Sequence, residues 1–269
     1  WLMVDTSVGP KKIRIHEMHM EEDAGKLVHD EWEGVSYVDY NRSGVPLIEI
    51  VSEPDMRSAE EVIAYLTKLR TTIQYLGASD CKLQEGSMRA DVNLSVRERG
   101  SSEFGTRTET KNLNSFAAIE RAIKAETARQ IDLIEAGEKV VQETRRWNDD
   151  KEYSYAMRSK EDAQDYRYFP DPDLVPIHIS DEYLAELKAK QPEFKDEKKA
   201  RYIEEFGLDK KQKYKKLSKG MKTRTQLAFA LSHNAKLFLF DEPTAGLDKH
   251  FREKFLKLCT NLVADGEKS

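Results

Sequence analysis

The sequence predicts an α+β fold: a mostly antiparallel sheet cradle with inserted helices, followed by a short αβα segment. Three observations carry this. Met88, Ala90, Val92, Leu94 and Val96 alternate strictly with Arg89, Asp91, Asn93, Ser95 and Arg97, the period of a strand with one buried face. Ser58 and Glu61 make a capping-box pattern ahead of Val62, Leu66, Leu69, Ile73 and Leu76 at helical spacing, and Gly77 stops the run. In the tail, a helix over 221–233, a short apolar strand over 236–240 and a helix over 249–263 follow the order of a parallel nucleotide-binding sheet.

The other elements are expected as follows. Residues 13–20 and 35–40 read as strands joined by a loop at 21–26, and 47–52 as a third. Residues 104–111 form the return strand of 88–97, with Arg107, Glu109 and Lys111 on a single side. Ser115 opens a long helix to Ala136, ended by Gly137. Strands at 140–147, 153–157 and 174–179 precede helices at 181–190 and 194–206. Strands that pair mostly with sequence neighbours favour antiparallel sheet. A composition shift at 206–216 divides the chain into an expected first domain, 1–208, and a second, 209–269.

At 269 residues and 39% hydrophobic, the chain can bury real cores. The net charge of −5 demands no nucleic-acid partner, and the eight basic residues between Asp209 and Arg224 read as a solvated face or linker. No apolar run approaches the ~18 residues of a membrane span, and no signal peptide is recognisable, so a cytoplasmic location is expected. Cys81 and Cys259 are too far apart for zinc or redox spacing and should be reduced. Because the first residue is Trp1 and not Met, an upstream part is expected to be missing.

Polar groups gather where strands end. Glu21, Glu22 and Asp23 are followed by Glu49 within Leu47-Ile48-Glu49-Ile50, then Glu85, Asp91 with Asn93, and Glu109. Glu49 among apolar neighbours would be costly in a core unless paired, hydrogen-bonded or bound to a cation. On an alternating strand it could equally face solvent. Oxygen ligands without Cys or His pairs favour magnesium over zinc.

The segments HMEEDAGK (19–26), DYNRSGVPLIEIVSEPD (39–55), QEGSMRADVNLS (84–95), KNLNS (111–115), QETRRW (142–147) and DYRYFPDPDLVP (165–176) closely resemble the B-subunit family of aspartyl/glutamyl-tRNA amidotransferases. The resemblance runs from about residue 11 to Leu208. It implies a ligase reaction in which ATP phosphorylates the side-chain carboxylate of misacylated Glu-tRNA(Gln) or Asp-tRNA(Asn), and ammonia from the partner amidase displaces the phosphate. Implied partners are the amidase and small subunits of the amidotransferase together with the tRNA, and implied cofactors are Mg²⁺ and ATP, since triphosphate and acyl phosphate meet in one site. By resemblance Glu22, Glu49 and Glu109 are the expected metal ligands or their close neighbours, with Glu85 and Asp91 supporting. Arg89, Lys111 and Asn112 suit phosphate or carbonyl oxygens. Structural salt bridges on a polar sheet face are the competing reading. The family's first Glu-x-His strand and its tRNA-contacting helical region are not in the sequence, so phosphoryl transfer is expected to be poor or lost.

The tail resembles a different family. LSKGM (217–221) and LFLFDEPTAGLD (237–248) resemble the signature motif, Walker B strand and D-loop of ABC-transporter ATPases, a P-loop-type fold. The resemblance implies that Ser218 and Gly220 face a γ-phosphate, Asp241 holds the Mg²⁺ water shell, Glu242 polarises water and Asp248 works across a dimer interface. No GxxxxGK(S/T) loop occurs in the 269 residues, so the tail is expected to be loosely ordered or opportunistically packed, without ATPase activity. A chimera with its crossover in 203–214 is the leading expectation. The alternatives are a noncatalytic binding piece of the amidotransferase complex and a transport ATPase fragment serving the membrane part of a transporter.

Overall fold

The computed structural model describes residues 1–30, 32–157, 175–176, 178–232, 235 and 237–264. The chain divides into two compact units, Trp1–His178 and Ile179–Ser269.

The first unit opens with a hairpin, β1 (Leu2–Thr6) against β2 (Gly9–Ile13), which the sequence reading does not anticipate. Its turn closes through Thr6 Oγ1 donating to Gly9 O at 2.7 Å, and Gly9 sits at φ +120°, a conformation that favours glycine. Strand β3 (Ile15–Glu22) does not return into the segment at 35–40 as expected. It pairs antiparallel with β6 (Pro46–Ser52), and between them a separate ribbon forms from β4 (Lys26–Asp30) and β5 (Val35–Asp39). Leu27, Val28, Val35, Tyr37 and Val38 of that ribbon are all exposed, so no one-sided burial pattern marks it as a hairpin.

Helix α1 (Ala59–Tyr75) starts where the capping pattern places it. Ser58 Oγ accepts from the Glu61 N–H at 3.2 Å, and Gly77 follows the helix at φ +69°. The Glu61 carboxylate does not complete the box. It accepts from the Arg57 N–H and from Lys11 Nζ at 2.7 Å, tying the helix to β2. Arg14 Nη2 and Nε grip both oxygens of Asp55 at 2.6 and 3.0 Å, anchoring the start of β3 to the segment before α1.

A four-stranded sheet follows in the order β10 (Tyr153–Ala156), β9 (Thr144–Asn148), β8 (Thr108–Lys111) and β7 (Val92–Leu94). All pairs are antiparallel except β8 with β9, which are parallel across helix α2 (Phe116–Glu135). The ladder between β7 and β8 is shorter than the alternation of 88–97 and 104–111 predicts. Gln130 from α2 takes over where it stops: its Oε1 accepts from the Val96 N–H at 3.0 Å, and its Nε2 donates to Leu94 O and Thr108 Oγ1 at 3.3 and 3.0 Å. A side-chain amide thus satisfies backbone groups that a strand partner would otherwise hold. The core joins Val4, Ile13, Tyr65, Leu66, Ile119 and Trp147 under both helices.

In the second unit α3 (Asp181–Lys190) and α4 (Lys195–Glu205) precede a 3₁₀ turn at Tyr214–Lys216, then α5 (Lys219–Ser232) and α6 (Lys249–Ala264). Its core joins Tyr202 and Phe206 to Leu227, Leu231, Leu247, Phe251 and Phe255. Two expected strands need correction. Residues 237–240 are not a strand, because no described strand lies alongside to take their N–H and C=O groups, and the αβα segment is therefore reduced to its two helices. Of 174–179, residues 175, 176, 178 and 179 carry no strand and the others lie outside the described residues, as does most of the 165–176 motif.

Two outcomes follow from these contacts. The Arg14 guanidinium lowers the Asp55 carboxyl from 3.8 to about 2. The stabilisation is complete above the ordinary carboxylate value and is lost as pH falls through about 2. Acid-unfolding curves of Asp55→Asn should therefore lose sensitivity to pH in the window from about 4 to 2 that the parent shows. Replacing the fully buried Gln130 by Ala leaves the Val96 N–H without its partner and takes one donor from the Leu94 carbonyl, and urea unfolding should register a loss of about 2–3 kcal/mol.

Candidate functional site

Strand alternation builds the site. On β3, His19 and Glu21 point to one face and Glu22 to the other, and the β3/β6 register sets Glu49 directly opposite His19. His19 Nε2 lies 2.7 Å from Glu21 Oε1 and 2.9 Å from Glu49 Oε2. One ligand atom from each of the three falls within 4.8 Å of the others, the one such group of His, Cys, Asp or Glu among the described residues. The hydrogen bond to Glu21 raises the His19 pKa; partial desolvation opposes it, and the Glu49 hydrogen bond and charge reinforce it.

The same face continues to Asp23. Its N–H donates to Val45 O at 2.9 Å, prolonging the β3/β6 ladder past Glu22. Its carboxylate is nearly covered and receives two guanidiniums on one oxygen: Arg42 Nη2 at 2.7 Å and Arg89 Nη2 at 2.8 Å from Oδ2. Loop 86–89 and turn 40–45 meet the strand here.

A second polar row lies on the four-stranded sheet. Alternation and the pairing of Asn93 with Glu109 put Asp91, Asn93, Glu109 and Lys111 on one face, as the sequence predicts. Lys111 Nζ stands 3.4 Å from both Asp91 Oδ2 and Glu109 Oε1, and Thr144 Oγ1 donates to Glu109 Oε2 at 2.9 Å. Burial works to lower the Lys111 pKa, but the Asp91 and Glu109 charges outweigh it and the ammonium is held more firmly.

The expected metal trio is therefore not assembled as written. Glu49 stands in a three-ligand cluster with His19 and Glu21, Glu22 faces away from it, and Glu109 belongs to the Lys111 row. Glu85 is engaged by Lys82 Nζ at 2.9 Å in its own loop. Asn112, at φ +68°, donates one amide hydrogen to Trp147 O at 3.0 Å and so shapes the corner before α2. His19, Glu21, Asp23 and Arg42 lie outside the ligands and donors expected from the sequence. The signal for the first three is their i, i+2, i+4 spacing, while Arg42 is recognisable only once the turn is folded.

In the tail, each expected residue serves its own turn. Ser218 Oγ accepts from the Met221 N–H at 3.3 Å at the start of α5. A Cβ on Gly220 would meet Gly246 O at 2.9 Å, so the two glycine segments pack backbone to backbone. Asp248 accepts from the Phe251 N–H at 2.9 Å, capping α6, and pairs with Arg224. Asp241 and Glu242 are exposed, with Glu242 at φ +42° in the turn that follows the missing strand.

The first unit is thus an α+β frame of small sheets and helices with acidic and basic side chains gathered on strand faces. The family profile of the GatB/GatE catalytic domain matches residues 1–185, and the chain belongs to that family. It is 98% identical over 198 residues to the aspartyl/glutamyl-tRNA(Asn/Gln) amidotransferase B subunit of Lachnospira eligens, covering 74% of this chain and 41% of that protein. The proteins of the same name from Agathobacter rectalis and Lachnoclostridium phytofermentans are 75% identical over 205 residues and 70% over 198, covering 76% and 74% of this chain and 43% and 41% of theirs. The chain thus spans less than half the length of these curated relatives. No described helix is long and apolar enough to cross a membrane.

The His19 assignment is open to direct measurement. In a histidine NMR titration, His19 should stay protonated above the ordinary value of 6.5, and Glu21→Gln should bring its midpoint back down toward that value.

Proposed function

We propose that residues 1–208 form the part of a tRNA-dependent amidotransferase in which ATP phosphorylates the side-chain carboxylate of misacylated Glu-tRNA(Gln) or Asp-tRNA(Asn), in a cytoplasmic complex with the amidase and small subunits of that enzyme. The carrying observation is that, within a chain of this family, His19, Glu21 and Glu49 converge on one strand face. The two carboxylates suit a hard cation such as Mg²⁺, and these three residues would hold it once the ion displaces the His19 proton. When bound, the ion supplies charge neutralisation for phosphoryl oxygens. Glu21 thereby takes the place first assigned to Glu22.

The chain's own residues do the rest. Lys111, kept charged by Asp91 and Glu109, is a fixed donor for a phosphoryl or carbonyl oxygen. Glu109 is steadied by Thr144, so that the ammonium has one preferred position. Arg89 presents a guanidinium beside the strand face that carries the cluster.

For residues 209–269 the motif run 217–248 supports descent from an ABC ATPase half-site fused to the first part. Lacking a phosphate-cradling loop, it is assigned no hydrolysis.

Calorimetric titration with Mg²⁺ reads the cation site without requiring turnover. Glu49→Ala and Glu21→Ala should each weaken binding about 10–100-fold, and phosphate release driven by Glu-tRNA(Gln), with the amidase and small subunits present, should fall with them. Undiminished Mg²⁺ affinity in both folded variants would refute the assignment.

A further inference from the structure

Residues 209–224 hold seven lysines, one arginine and one aspartate, a local charge of +7 in a chain whose total is −5. Lys210, Lys211, Lys213, Lys215, Lys216 and Lys219 are exposed, and none makes an ion pair with a described carboxylate. Other cations of the second unit are paired: Lys190 with Glu186 at 2.5 Å, Arg201 with Glu193 at 2.7 Å, and Arg224 with Asp248. The acids closest in sequence are engaged elsewhere. Asp209 Oδ1 accepts from the Lys211 N–H at 2.9 Å, and Asp248 caps α6. Among the described residues Asp241 and Glu242 pair with none of these lysines either.

Backbone turns gather the lysines. The Gln212 N–H donates to Asp209 O at 3.1 Å, then the Lys216 N–H to Lys213 O at 2.8 Å and the Leu217 N–H to Tyr214 O at 3.1 Å, so two tight turns follow in succession. Helix α5 then begins with Lys219, and its first turn holds no acid. Packing like charges into so short a length costs repulsion that a polyanion relieves.

The side chains among the lysines indicate which polyanion. Tyr214 is 46% exposed, and Lys222 Nζ lies 5.9 Å from its ring centroid. A basic surface interleaved with an exposed ring suits a single strand of nucleic acid, whose phosphates meet the ammonium groups while a base stacks on the ring. A lipid surface calls for exposed apolar side chains among the cations, and 209–222 offers only Leu217 and Met221, both half-buried. An acidic polypeptide would match the charge and leave the ring unused.

We propose that the lysines of 210–222 and Tyr214 form a docking surface for a single-stranded polynucleotide, held by its phosphates with one base on the ring and without regard to sequence. The surface lies beyond Leu208 and does not rest on the amidotransferase reading. The test is fluorescence anisotropy of the full chain with a labelled oligouridylate of about 12 nucleotides across a salt series. Affinity should fall steeply with salt. Lys210→Gln with Lys211→Gln, and Lys215→Gln with Lys216→Gln, should each reduce the log–log slope by about 1.4, the share of two phosphate contacts. Tyr214→Ala should weaken binding about tenfold while Tyr214→Phe holds it, since the ring and not the hydroxyl stacks. Oligothymidylate should bind comparably, because the surface contacts phosphates and a base face. Lys139→Gln, exposed in the first unit, should change nothing.

The substituted side chains are exposed and outside the core of the second unit, so the variants keep its packing. A parent that binds no oligouridylate at low salt would overturn the proposal. So would an unchanged slope in both lysine pairs, affinity indifferent to Tyr214→Ala, or binding confined to one of the two sugars. Phosphatidylglycerol vesicles or polyglutamate bound as tightly as oligouridylate would also overturn it, reassigning the surface to a membrane or to an acidic protein.

Discussion

Everything proposed for the first unit depends on the register of β3 against β6. Only with His19 opposite Glu49 do the imidazole and two carboxylates share a face, and a slip of one residue would bring Met18 or Met20 there instead. Such registers are usually fixed by burying one face, yet Met18, Met20 and Ile48 are exposed and cannot supply that force. Charge does the work at both ends. Arg14 and Asp55 hold the amino-terminal end of β3, while Asp23 with Arg42 and Arg89 holds the other. The residues that keep the strand in place thus include those that give the site its charge.

The second sheet is stiffened from behind. Thr108 and Thr110 point inward from β8, and Thr108 Oγ1 donates to Glu126 at 2.7 Å in a cluster with Gln130, Arg129 and Arg145. Burial alone would raise the Glu126 carboxyl, but the hydrogen bonds from Arg129, Gln130 and Thr108 outweigh it and keep it ionised. A buried charge this fully partnered fixes the strand whose opposite face carries Glu109 and Lys111. The polar front of β8 and its polar back are two sides of one constraint.

Much of this is legible in the sequence where the physics is local. Ser58, Ser115, Gly77 and Gly137 mark helix limits because capping acts within a few residues. The polar row at 91, 93, 109 and 111 follows from period-two alternation alone. The rest is nonlocal. The β4/β5 ribbon has no buried face to announce it, Gln130 reaches the end of the β7/β8 ladder from 34 residues beyond Val96, and that Glu21 and not Glu22 shares a face with Glu49 follows only from the β3/β6 register. The tail's strand fails for a related reason: its apolar pattern is real, but a strand exists only with a partner.

The packing of the second unit bears on handling the protein. Tyr202 and Phe206 belong to the stretch that resembles the amidotransferase family, yet they are buried by Leu227, Leu231, Phe251 and Phe255 of the tail, and the Tyr202 hydroxyl donates to Leu231 O at 2.8 Å. A cut after Leu208, where the amidotransferase resemblance ends, would strip the cover from two aromatic rings and leave α4 with a sticky flank. Expression boundaries for this chain should follow its packing and not the limits of its sequence motifs.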